Sequence, residues 1–392
     1  MGALDGVRII DMTTVVMGPM ASRILGDLGA DIVKIEAPAY DSMRDFEPHR
    51  SPGMSGFTLN LNRNKRSVML DLKTDTGRRA LLDIVATGDV FLSNMRPDAL
   101  KRLGLGPDDL RAVRDDLIYC SAVGFGSDGP YAGRAAYDDV IQAVSGMASM
   151  FQWNGGEPAY LPSIVADKIS ALHIAYAINA ALFQRATTGR GDFIEVPMAE
   201  ALAAFNLVEH LNGNTFEPKE APFSYARIRS AQRRPRRSAD GWICLMPYND
   251  ANWRAFFDVI GRPELADDDR FAGVNARVVH VDALYAVVDE YAPQRTTDEW
   301  MAVCDELSIP CVPVTDLEHL DQDPHFDAVG LLEVVEHPTE GPYRVVRDAV
   351  RFESDQTPTV HRHAPRVGQH TSEILTELGW SSEDIDSLDQ SI

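Results

Sequence analysis

The first 125 residues alternate short β-branched apolar runs with amphipathic stretches, and this alternation constrains the fold more than any other feature of the chain. Val7–Asp11 predicts a strand. Pro19–Leu28 predicts a helix, with Met20, Ile24 and Leu28 on one face and Gly29 as its stop. Residues 31–36, 67–72, 89–92 and 117–121 read as further strands, with a helix over 75–87 whose apolar face carries Leu81, Leu82 and Val85. Strands joined by helical crossovers lie parallel, so the expected fold is α/β with a doubly wound, mostly parallel sheet.

Downstream, Ile169, Leu172, Tyr176, Ala180 and Phe183 recur at three and four residues and predict a long helix to Arg185, stopped by Thr188-Gly-Arg-Gly191. Another helix is expected over 199–211. Residues 213–240 are polar and irregular, with Pro218, Pro222 and Pro235, and read as a linker. A fresh unit opens at Asp240–Met246, followed by helices near 252–261 and 282–291 and an extended segment at 308–314. A last helix is expected over 371–378.

The charge balance excludes some function classes. With 37 Lys and Arg against 59 Asp and Glu, the net charge is −22. Phosphate backbones and anionic membranes need clustered positive charge, so no nucleic-acid and no membrane partner is expected. No apolar run is long enough to span a bilayer, and the N-terminus lacks a charged-then-apolar signal pattern, so a soluble cytoplasmic protein is expected. Cys120, Cys244, Cys304 and Cys311 are scattered and read mostly as buried small hydrophobes. No HxxxH or HExxH pattern appears, and no metal site is expected.

The dinucleotide fingerprint GxGxxG and the P-loop are both missing, so the usual phosphate cradles of such sheets are absent. Cations at strand ends offer another route to an anionic ligand. The Asn62-Arg-Asn-Lys-Arg66 loop, Arg96, Lys101 and Arg102 stand there, where open α/β sheets bind ligands. Solvated surface charge is the alternative. Asp167 lies just ahead of the long helix. It reads either as an N-cap or as a nucleophilic carboxylate, since a helix N-terminus favours both the anion and an oxyanion beside it. Tyr137-Asp138-Asp139 precedes another apolar helix and reads as a cap, or as a second carboxylate tuning the first. Arg227–Arg237 packs six arginines into eleven residues and reads as a loop bridging domains or subunits, paired with acidic surface.

In order along nearly the whole chain stand Ile10-Asp-Met-Thr with Gly18-Pro19, residues 28–36, residues 62–73, and Asn94-Met-Arg-Pro97. Gly124-Phe-Gly126, Tyr137-Asp138, Ala166-Asp167, Thr188–Gly191, Ile309–Pro313 and Ala364–His370 follow. This set resembles the family III CoA-transferases, the group of the formyl-CoA:oxalate and carnitine CoA-transferases and α-methylacyl-CoA racemase. The resemblance implies a large Rossmann-like domain built from both chain ends (1–215 and 330–392), a smaller inserted α+β domain with its linker (216–329), and an interlocked homodimer.

It further implies that Asp167 is the catalytic nucleophile and that Tyr137 and Asp138 form a Tyr–acid pair in the substrate pocket. Val16, Met17, Leu70, Asp71, Leu72, Lys73, Asn94, Met95, Arg96 and Arg102 would contact CoA. The implied reaction moves CoA between an acyl-CoA and a small carboxylic acid, with no cofactor beyond CoA as substrate. Where formyl-CoA:oxalate enzymes carry a ligand-contacting Gln, this chain has Val16; an adenine-side Arg is Ala37 here, and a tetraglycine loop has no counterpart. These departures count against oxalate and formate. The racemase branch carries a His-Asp pair at Tyr137-Asp138, and the missing His removes a base for α-proton exchange. Transfer therefore ranks above acyl-CoA racemisation or isomerisation by Asp138 and Asp167, and above non-catalytic acyl-CoA binding.

Overall fold

The computed structural model describes residues 2–354 and 357–389. The expected parallel α/β sheet is present. Its six strands are β1 (Arg8–Met12), β2 (Asp31–Glu36), β3 (Lys65–Met69), β4 (Val90–Ser93), β5 (Ile118–Val123) and β6 (Phe193–Pro197), in the order β3-β2-β1-β4-β5-β6. All five pairings are parallel. β1 lies between β2, in the register Ile9↔Ile32, and β4, in the register Ile9↔Val90. The chain winds away from β1 in one direction to β3 and in the other to β6, so the loops after β1 and β4 part and leave a crevice at their C-terminal ends. Helices on both faces explain the unbroken apolar runs: Ile9, Ile10, Val33, Val90, Phe91 and Leu92 are fully buried.

The crossover helices are α1 (Met17–Asp27), α2 (Gly56–Leu61), α3 (Asp75–Val85), α4 (Pro97–Arg102), α5 (Pro107–Val113), α6 (Asp138–Val144) and α7 (Val165–Thr188), and α8 (Met198–His210) follows the last strand. α7 packs on α1, β5 and β6, and its buried residues are mostly small: Ala166, Ser170, Ala171, Ala175 and Ala181, with Ile174 and Ile178 among them. The stripe that predicted this helix points the other way. Leu172, Tyr176 and Phe183 are 54%, 61% and 74% exposed. Alanines permit close helix approach, and a pattern that counts only large side chains misses that face.

The basic loop at 62–66 is a correction. Arg63, Lys65 and Arg66 are buried and none awaits a ligand. Arg63 pairs with Asp27 at 2.8 Å, Lys65 with Asp11 at 3.1 Å, and Arg66 with Asp31, Glu373 and Glu377 at 2.5–3.0 Å. β3 begins at Lys65, ahead of the apolar run at 67–72, where Lys65 enters the ladder opposite Ile32.

The chain divides into two compact units: residues 1–145, 160–203 and 325–392, and residues 146–159 and 204–324. In the second, Arg236–Arg237, Trp242–Leu245 and Cys311–Pro313 form a three-stranded antiparallel sheet. Trp253, Phe256, Phe257 and Trp300 fill its core. The arginine-rich segment 227–237 pairs within this unit, Arg234 and Arg236 both with Asp289 at 3.1 and 3.3 Å. Among the cysteines, Cys244 is exposed and the other three are buried. Among the described residues, no helix is long and apolar enough to cross a membrane.

Candidate active site

Buried charge shapes the loop after β1. The Asp11 carboxylate accepts hydrogen bonds from Thr13, from Ser22 Oγ at 2.6 Å and from Lys65 Nζ at 3.1 Å. Lys34 Nζ donates to the Thr13 carbonyl at 2.7 Å. Burial alone would raise the Asp11 carboxyl; Lys65 and Lys34 outweigh it and hold the group below its usual range. Burial pushes Lys65 down to about 8, against the pull of Asp11. Two residues on, Val15 sits at φ +69°, a region that β-branched residues rarely enter. Its N–H donates to Asp41 Oδ2 at 2.9 Å, which holds the turn. Thr14 and Asn94 exchange two hydrogen bonds, at 3.0 and 2.8 Å, and so join the loop after β1 to the loop after β4.

The loop after β5 is pinned by two carboxylates. Glu200 accepts the Gly126 N–H and Glu195 the Ser127 N–H, each at 3.0 Å. A Cβ on Gly124 would lie 2.4 Å from Ala136 Cβ, so glycine is what lets the segment leading into α6 lie against the end of β5.

Asp167 is not the N-cap of α7. It stands in the first turn, behind Ile164, Val165 and Ala166, and Ile164 caps the helix with no side-chain hydrogen bond. Asp138 substitutes from outside. Its Oδ1 accepts the backbone N–H of Asp167 at 3.1 Å, and its Oδ2 accepts Gln142 Nε2 at 2.6 Å. Gln142 Oε1 in turn accepts the Leu161 N–H at 2.9 Å. Asp138 is thus a buried acceptor at the first position of α6 that serves another helix, and it makes no cap for its own. Asp167 is itself mostly desolvated. Burial, and then the negative charge of Asp138, push its carboxyl up to about 6, overriding the helix dipole.

Asp167 lines a cavity of about 810 Å³ walled by the loops after β1, β4 and β5. That volume lies within the range of small-molecule sites. Met17, Asn94, Met95, Arg96, Arg102 and Tyr137 line the same cavity. The other expected contacts do not. Val16 is buried beneath the wall and its neighbour Val15 lines it instead. Leu70 and Leu72 pack into the hydrophobic core, with Asp71 and Lys73 in the turn after β3. Asp138 stands behind Asp167. Phe125, from the Gly124-Phe-Gly126 motif, lines the cavity, as do Arg134 and Glu195, which were not singled out from the sequence. Their only signal was position: Arg134 follows the predicted strand β5, and Glu195 lies within β6, a strand the sequence did not suggest.

A profile of the CoA-transferase family III matches residues 4–371. The chain belongs to CoA-transferase family III. It is 31% identical to the formyl-CoA:oxalate CoA-transferase of Rhodopseudomonas palustris, over 99% of this chain and 96% of the relative. It is also 31% identical to human succinyl-CoA:glutarate CoA-transferase, over 96% and 86%. Rv3272 of Mycobacterium tuberculosis, described as a probable fatty acyl-CoA transferase, is 36% identical over 76% of this chain and 79% of its own. A crystal structure of a point mutant of Rv3272 superposes with a TM-score of 0.82 and 29% identity, covering 95% of this chain and 98% of that one. This family III protein is a CoA-transferase, and its chemistry moves CoA between an acyl-CoA and an acid.

Proposed function

We propose that Asp167 is the covalent carrier of this CoA-transferase. The carrying observation is its largely buried carboxylate, which lines a cavity shared with arginines that form no ion pair among the described residues. A carboxylate oxygen of Asp167 attacks the donor thioester carbonyl and expels CoA thiolate, leaving an aspartyl–acyl anhydride. The thiolate attacks the aspartyl carbonyl and releases the donor acid, leaving an aspartyl-CoA thioester. The acceptor carboxylate then attacks that thioester, expels the thiolate and forms a second anhydride. Attack of the thiolate on the acceptor's carbonyl releases the new acyl-CoA and restores Asp167.

The anhydride is close in reactivity to the thioester, so little free energy is lost at each exchange. Water must be kept out, which the apolar lining of Val15, Met17, Met95, Phe125 and Met198 favours. Arg96 and Arg102 suit the phosphates of CoA, and Asn94 and Met95 its pantetheine arm. No cofactor beyond the CoA of the substrate is required. The relatives' names span formate, oxalate, succinate, glutarate and fatty acyl groups, so both dicarboxylic and aliphatic acids are candidate partners.

Racemisation by Asp138 and Asp167 is less well supported, because both Asp138 oxygens already accept hydrogen bonds and neither lines the cavity. Hydroxylamine or borohydride trapping after addition of acyl-CoA alone should label Asp167. Full exchange activity in Asp167→Ala would end this reading.

The exposed stripe of Leu172, Tyr176 and Phe183 on α7, with Val140 and Val144 on α6, supports a homodimer in which a second copy covers this face.

A further inference from the structure

Three arginines line the cavity of Asp167: Arg96, Arg102 and Arg134. Arg134 is set apart from the other two. It comes from the segment after β5, four residues before Asp138, which is at most about 14 Å of chain. Its guanidinium lies over the Tyr131 ring, 4.2 Å from the centroid, and Tyr131 stands edge-on to Phe125 at 5.4 Å. Phe125 is buried and is itself part of the cavity wall. The turn is closed by the Arg134 N–H donating to the Tyr131 carbonyl at 3.1 Å.

A ring covers one face of a guanidinium and leaves its N–H edge open, so stacking holds Arg134 in place without using its donors. Among the described residues Arg134 forms no ion pair, in a chain where acidic side chains outnumber basic ones by far. A cation that is oriented by stacking, forms no ion pair among the described residues and belongs to a cavity wall is placed to meet an anion.

We infer that Arg134 is a specificity-determining residue that holds the free carboxylate of a dicarboxylic acyl group or acceptor. This rests on the transferase reading above. A dicarboxylic acid joined to CoA through one carboxyl keeps the other, and that charge persists at every step. The Asp167 carboxylate repels it, so a productive pose needs a cation elsewhere in the cavity. Arg134 supplies one on the chain segment that runs straight into Tyr137 and Asp138. An aliphatic acyl group has no use for this cation.

Glutaryl-CoA and pentanoyl-CoA have the same chain length and differ at the far carboxylate alone, which makes them the discriminating pair. Calorimetric binding of each to the wild type and to Arg134→Gln isolates that difference. The variant should weaken glutaryl-CoA by about tenfold or more, as for loss of a charge-assisted contact, and pentanoyl-CoA by less than about threefold. Equal weakening of both thioesters would place Arg134 on CoA itself and overturn the inference. Unchanged binding of both would overturn it too. Binding is read without turnover. Failure of the wild type to exchange CoA with any acid would therefore sink the transferase reading, while the ratio of the two affinities still decides the role of Arg134.

Discussion

The carboxylate of Asp138 accepts the backbone N–H of Asp167 at 3.1 Å, so the residue beside the proposed nucleophile caps the helix that carries it. The same contact brings a second negative charge close and contributes to raising the Asp167 carboxyl to about 6. Capping and charge act in opposite senses on the nucleophile: one positions it, the other makes its anion harder to form.

Asp138→Ala separates the two. Loss of the cap should cost about 1–2 kcal/mol of stability, read by denaturant titration. The turnover number should fall about tenfold or more as Asp167 loses its anchor. With the Asp138 charge gone, the acid limb of the pH–rate profile should move to lower pH. A limb that stays in place would show that Asp138 does not govern the ionisation of Asp167.

The nucleophile is the anion, so kcat/KM should rise with pH through about 6 and level off above it. Stability should run the other way. A carboxyl whose pKa is raised from 3.8 to about 6 in the folded state binds its proton more tightly there than in the unfolded chain. That contribution is fully present below pH 3.8 and is lost as pH rises through about 6. At pH 7 the inactive Asp167→Asn should therefore be more stable than the wild type, by about 2 kcal/mol after allowing for partial solvent screening. The gap in melting temperature should close as the pH falls toward 4.

Asp11→Asn should leave Lys65 buried without a carboxylate partner. Breaking one side of such a pair typically costs about 3–5 kcal/mol, and the deprotonation of Lys65, already drawn to about 8, should lessen the loss at high pH. Chemical denaturation at pH 7 and pH 9 measures both effects. Because Asp11 also holds Thr13, the KM for acyl-CoA should rise as well.

Arg102→Gln should raise KM for every acyl-CoA by roughly tenfold, with little change in melting temperature, because Arg102 lines the cavity. The wild-type KM should rise with salt more steeply than that of the variant.

Tyr176→Glu places a charge in the exposed apolar face of α7, where Tyr176 is 61% exposed. With the proposed second copy on this face, light scattering should show a lower mass for the variant than for the wild type while the helical circular dichroism is kept. An unchanged mass would assign that face to something other than a second copy.

The first five strands of the parallel sheet were legible in the sequence because they are buried on both faces, whereas the edge strand β6, half-exposed, was not. Continuous β-branched runs such as Val7–Ile10 and Asp31–Ile35 then carry their own signal, and helices between them dictate parallel pairing. Asp167, Arg96 and Arg102 were also legible, through local motifs at strand and helix ends. Three matters needed the tertiary structure. Lys65 and Arg66 look from sequence like ligand cations, and only the positions of Asp11, Asp31, Glu373 and Glu377 show that they are neutralised internally. The cap that holds Asp167 comes from Asp138, twenty-nine residues earlier, and no spacing rule connects them. Arg134 reads as one more surface arginine until its stacking on Tyr131 and its place in the cavity wall appear. Local chain statistics report which residues want burial or a helix. Which charges find each other across hundreds of residues is settled by packing, and this protein's chemistry depends on those charges.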